Sequence, residues 1–169
     1  MITKSFIDKL SKTITVEGQT LMLDFFIIFS RFECALKTSN FSIGDEDKVS
    51  ANWDTFIASI RPNFKKDNNV QLSQAVDYLI QHPPRIQMID NGQLGWRDRI
   101  FNPNEPEINK LSLSIRDIRN NLFHGGKFNG NYQAEISRNY ILLEKAIIIL
   151  NDWLSLNDLV RQNFLESIF

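Results

Sequence analysis

A chain of 169 residues, 43% of them hydrophobic, carries enough apolar side chains to bury one core, and nothing in its composition divides it; residues 1–169 are expected to form a single domain. A formal net charge of −1 excludes the broad positive surface of a general nucleic-acid binder, so any contact with a polyanion must be a local patch. One cysteine excludes an internal disulfide framework, and two histidines with that cysteine give no zinc-ligand spacing; no metal or other cofactor is expected, and the expected compartment is a reducing cytoplasm.

In residues 1–18, Phe6, Ile7 and Leu10 suit a short helix while Thr13-Ile14-Thr15-Val16 leans to extended structure, which reads as an N-terminal arm laid on the rest. The first residues lack the long hydrophobic run of a signal peptide. Residues 19–37 then read as a helix with Leu21, Phe25, Ile28, Phe29, Phe32 and Leu36 on one side. Its apolar run is broken by Asp24 and falls short of the about 20 residues a bilayer span needs, so no membrane partner is expected. Cys34 sits in this apolar context as a packed thiol. Arg31 and Glu33 interrupt the stripe, either as an exposed pair or beside the helix end described below, where Glu33 would need Arg116 or Arg119 to offset its desolvation.

Asp45-Glu46-Asp47-Lys48 predicts the capped start of a second helix running to Ile60, with Val49, Trp53, Phe56, Ile57 and Ile60 inward and Trp53 as core rather than a base-stacking platform. After a polar loop, a helix over residues 70–81 turns Leu72, Ala75, Val76 and Leu79 inward, and His82-Pro83-Pro84 stops it. Residues 86–104 show no regular period. There Trp96, near Arg97 and Arg99, either plugs the bundle, the favoured reading, or stacks on RNA. Glu105-Pro106-Glu107 opens a long helix that ends at His124. A Gly/Asn turn, an apolar helix over residues 133–154 and a final amphipathic segment complete an all-α reading.

The chemistry concentrates in residues 112–127. Leu111, Ile115, Ile118 and Leu122 recur at intervals of four, three and four, the inward stripe of a helix, and Gly125-Gly126 ends it. His124 therefore falls at the helix terminus, with Arg119 five residues behind, about 140° away around a regular helix; the two converge only if the end unwinds or a second copy supplies one of them. An imidazole titrates near neutral pH and passes protons, while a guanidinium holds phosphate oxygens. Those are the two roles that RNA cleavage without a metal requires. Arg116 and Lys127 make the local field positive.

Arg119-Asn120 followed by His124 and Gly125-Gly126, at the end of an amphipathic helix, resembles the signature of HEPN (higher eukaryotes and prokaryotes nucleotide-binding) domains: an Arg, often followed by a polar residue such as Asn, then a His after four to six positions. The blocks Phe25-Phe26-Ile27-Ile28-Phe29-Ser30-Arg31-Phe32-Glu33, Asn52-Trp53-Asp54-x-Phe56 and Pro83-Pro84-Arg85-x-Gln87 are similar, in that order, to a bacterial branch of the family, so the likeness touches residues 21–150.

The resemblance implies an antiparallel helical bundle with additional short helices, a homodimer in which two Arg/His motifs face one cleft, and a metal-independent endoribonuclease. Arg119, His124 and Asn120 would then be catalytic, Arg116, Lys127 and Arg31 would hold RNA, and Glu33 would support them. Such an enzyme suits a toxin or phage-defence effector under a regulatory protein partner. Other HEPN domains have lost catalysis and bind RNA or a partner, which is the alternative. Where a partner nucleotidyltransferase modifies a HEPN tyrosine, Tyr132 and Tyr140 would be the candidates, but Gly125-Gly126-Lys127 stands where that tyrosine should follow the motif.

Overall fold

In the computed structural model, which describes residues 1–123 and 136–166, the fold is built around a long helix that turns most of its aromatic side chains inward. Phe25, Phe29, Phe32 and Leu36 recur at helical spacing on α2 (Val16–Thr38), and all four are buried. Phe32 stacks on Trp53 with ring centroids 5.3 Å apart and meets Phe56 edge-on at 5.4 Å. Truncating a ring so enclosed costs about 3–5 kcal/mol, because the neighbours collapse only in part.

Trp53 and Phe56 belong to α3 (Trp53–Ile60). The rest of the core comes from α4 (Val70–Gln81), α5 (Glu107–Phe123), α6 (Ile136–Ser155) and α7 (Asp158–Leu165), with Ile115 and Trp153 fully enclosed. Side-chain amides start three of these helices: Asn52, Asn69 and Asn157 each accept a hydrogen bond from a backbone N–H three residues on, satisfying donors a helix cannot pair internally.

The first eighteen residues resolve into α1 (Ile2–Thr13) and the start of α2, which meet at a 113° bend. Extended backbone is confined to Ile14 and Thr15 between them, where Thr15 caps α2 and Ile14 is buried. Among the described residues no single helix is long and apolar enough to cross a membrane; α1 and α2 together reach that length and composition, but only as this bent pair.

Two hairpins make the fold mostly helical rather than all-α. The helix expected from Asp45 does not form. Strands β1 (Ser42–Gly44) and β2 (Val49–Ala51) pair antiparallel there, and α3 starts only at Trp53. The reason is local: Asp45 Oδ1 accepts from the N–H groups of Asp47 and Lys48, closing a turn that competes with a helix start, and Gly44 adopts φ 139° with the Lys48 carbonyl where a Cβ would be. The irregular stretch after Pro84 is likewise a hairpin, β3 (Ile86–Asp90) with β4 (Gln93–Arg97), in register from Ile86 opposite Arg97 to Asp90 opposite Gln93. Asn91 and Gly92 form its two-residue loop with φ of 49° and 78°, the positive values a tight hairpin turn requires.

Two side chains sit elsewhere than expected. Cys34 is exposed on the outer face of α2 rather than packed. Trp96 is half-buried on β4 opposite Gln87 and lies outside the core cluster, so it does not plug the bundle.

Candidate functional site

Ile108, Leu111, Ile115 and Ile118 occupy the inward stripe of α5, each 5% exposed or less. That fixes which way the polar residues face. Arg116 and Arg119, three apart, share a flank of the helix and remain partly exposed, with Asn120 beside them exposed. The flank forms one wall of a groove with ≈ 770 Å³ of open space. Phe29, Glu33 and Lys37 of α2 form the opposite wall, and Val49, Ser50 and Ala51 of β2 with Trp53 close one side. Three cations, Lys37, Arg116 and Arg119, thus line the groove with one carboxylate, Glu33.

The internal bonding is specific. Arg119 Nη1 donates to Asn120 Oδ1 at 3.1 Å, and its guanidinium carbon stands 5.9 Å from the centre of the Phe29 ring, a cation held over an aromatic face. Arg116 Nη1 lies 3.8 Å from Asp54 Oδ1; Asp54 is 94% exposed, so this pair is strongly screened. Glu33 does not take an arginine partner. Its Oε1 accepts from Trp53 Nε1 at 3.0 Å, which orients the carboxylate at the groove wall and satisfies the indole of a buried ring.

Not every candidate belongs to the groove. Arg31 lies on α2 but is turned to the opposite corner: Nε donates to the Phe164 carbonyl at 2.8 Å and Nη2 to those of Asn163 and Glu166 at 2.8 and 2.5 Å. It closes the C-terminal end of α7, whose last carbonyls lack helical partners. An RNA-contacting role for Arg31 therefore has no basis in its placement. His82 is exposed, with its ring 4.9 Å from that of Tyr78. Tyr140 packs against Gly18 with its hydroxyl buried and unbonded, so it is no modification site on an open surface. His124, Lys127, Gly125, Gly126 and Tyr132 lie outside the described residues.

The groove also holds residues that sequence reading passed over. Lys37 is one turn after Glu33 and was legible as its neighbour. The β2 wall was hidden behind the helix expected there. Asn121, next to Asn120, is 3% exposed and donates from Nδ2 to the Arg85 carbonyl at 2.8 Å; a polar residue on the inward stripe was the signal that it makes a bond.

Chemically, the end of α5 offers paired guanidinium donors and an amide on a flank open to solvent, with an ammonium facing them. Donors of that kind match the oxygens of a phosphodiester in charge and geometry. Compared with protein-family models, with curated proteins and with solved structures, the chain finds no match.

Proposed function

We propose that this chain is a HEPN-type helical domain acting as a homodimeric, metal-independent endoribonuclease. The observation that carries the reading is the groove at the end of α5, where Arg116, Arg119, Asn120 and Lys37 surround one space and the motif's histidine follows in sequence. In this reading Arg119 and Asn120 hold the scissile phosphate, and Arg119 offsets the charge that builds on its oxygens in the transition state. One His124 takes the proton from the ribose 2′-hydroxyl, whose oxygen attacks phosphorus. The 5′-oxygen leaves with a proton from the second copy's imidazole, giving a 2′,3′-cyclic phosphate and a free 5′-hydroxyl. Arg116 and Lys37 hold flanking phosphates, and Lys127 extends the positive stretch in sequence. Such an activity fits a toxin or phage-defence effector held in check by a partner protein.

The test is incubation of purified protein with end-labelled single-stranded RNA in EDTA. Wild type is expected to cut and leave cyclic phosphate ends, with Arg119→Ala and His124→Ala each slower by at least about 10²-fold. Equal cutting by all three would end the catalytic reading. A second reading, a non-catalytic HEPN module that binds RNA or a partner, is favoured by one observation: Arg119 rests on Phe29 and Asn120 as a structural arginine would. RNA retention without cleavage, lost in Arg119→Ala, would select it.

A further inference from the structure

The two helices that flank residues 124–135 are tied to the same short strap. On the last turn of α5, Asn121 Nδ2 donates to the Arg85 carbonyl at 2.8 Å; near the start of α6, Arg138 Nη2 donates to the Pro83 carbonyl at 2.9 Å. The strap is Pro83-Pro84-Arg85. Its two prolines fix the backbone and have no N–H to pair, so its carbonyls accept from side chains.

Pro84, itself buried, shares with Ile118, Asn121, Leu122 and Leu142 the lining of a gap of only ≈ 20 Å³, room for about one water. Asn121 thus ties the last turn of α5 to the strap, and Arg138 ties the start of α6 to the same strap. Arg119 and Asn120 immediately precede Asn121, so any shift of that turn moves them together.

We propose that Asn121 and Arg138 are positioning residues for RNA cleavage: through the Pro83–Arg85 strap they hold the last turn of α5 so that Arg119 and Asn120 meet the scissile phosphate in register. This rests on the ribonuclease reading above. Neither residue touches the substrate. Asn121 is a buried polar group spent on one backbone carbonyl, and a displacement of about 1 Å at the reacting centre suffices to cost about 10²-fold in rate.

The experiment compares wild type with Asn121→Asp, which keeps the shape but turns an acceptor toward the Arg85 carbonyl, and with Arg138→Gln, a milder change at a half-buried site in case the first fails to fold. Asn163→Ala is the control. It removes bonds of the same kind, to Ser39 Oγ at 2.8 Å and the Thr38 carbonyl at 3.2 Å, at the far corner of α7. The readouts are kcat and KM on labelled RNA, and amide hydrogen exchange over residues 118–123.

Asn121→Asp should lower kcat by about 10- to 100-fold with KM within about threefold, and speed exchange in that turn about tenfold or more. Arg138→Gln should do the same more weakly, and Asn163→Ala should change neither. If wild type cuts and both strap variants cut as fast, or lose rate only as much as Asn163→Ala does, this inference alone falls. If wild type does not cut, the ribonuclease reading falls and takes this inference with it.

Discussion

Two corners of the molecule use arginine from neighbouring helices in opposite ways. At the α7 corner, Arg31 spends its guanidinium on three backbone carbonyls at a helix end, and Asn163 bonds back to Ser39 on α2's side. At the groove, Arg116 faces a screened carboxylate at 3.8 Å, and Arg119 lies over a ring and against an amide. A carbonyl that a helix cannot pair internally is a permanent acceptor, so Arg31 is committed to structure. A surface carboxylate competes weakly with a phosphate, so Arg116 is the more exchangeable of these cations. What separates the two corners is the partner each arginine takes, not the residue.

Exchanging the two lesions tests the contrast most severely. Arg119→Ala is expected to cut cleavage by about 10²- to 10³-fold while shifting Tm by no more than about 2 °C. Arg31→Ala is expected to do the reverse: stability falls by about 2 kcal/mol, the worth of charge-assisted bonds at a partly buried helix end, and the rate per folded molecule is unchanged. Thermal unfolding alongside single-turnover cleavage reads both. Loss of rate without loss of stability in Arg31→Ala would return that residue to the RNA path.

How far this was readable beforehand follows from the range of the interactions. The helix over residues 70–81 is α4 to the residue, and the inward stripes of α2 and α5 are buried except for the half-buried Leu21, Ile28 and Leu122, because both are set by local periodicity. The hairpins were missed for different reasons. Strands of three residues, as in β1 and β2, carry too short an alternation to register, and the acids of Asp45–Asp47 imitate a helix start while closing a turn. Asn91-Gly92 was a legible turn signal read only as an interruption.

At the site, Arg116, Arg119 and Asn120 are neighbours on one helix, so their shared flank is a local fact. The approach of α2 and β2 that makes a groove of them is not. Nor is the fate of Arg31, whose acceptor Phe164 lies 133 positions away, or of Glu33, which meets Trp53 across 20. Charge alone pairs Glu33 with Arg116 or Arg119, but the carboxylate instead accepts from the indole N–H of Trp53, a buried donor that it satisfies at the groove wall.

A smaller effect sharpens the groove side. On the ribonuclease reading Asp54 would compete with phosphate for Arg116, so Asp54→Asn should raise RNA affinity about twofold. Arg116→Ala should weaken binding and reduce the slope of log affinity against log salt by about 0.7, the share of one phosphate contact on a single strand. Filter binding over a salt series measures both. An unchanged slope in Arg116→Ala would remove that residue from the interface.

The smallest effect belongs to the structural corner, where Asp152 of α6 lines a second groove that Phe164 of α7 also faces. Burial raises its carboxyl pKa above the ordinary 3.8, and its Oδ2 has no hydrogen-bond partner among the described residues. The folded state therefore holds this proton more tightly than the unfolded chain does. The associated stability is fully present below 3.8 and is lost as pH rises through the elevated folded value, above which folding must enclose part of a charged carboxylate. Asp152→Asn has no charge to enclose. It should melt roughly 2 °C above wild type at neutral pH, a modest figure because the group is partly solvated, with the gap closing as pH falls toward the ordinary carboxylate range. A gap that stayed constant with pH would mean that the substitution acts through packing, and that the charge at this corner costs the fold nothing.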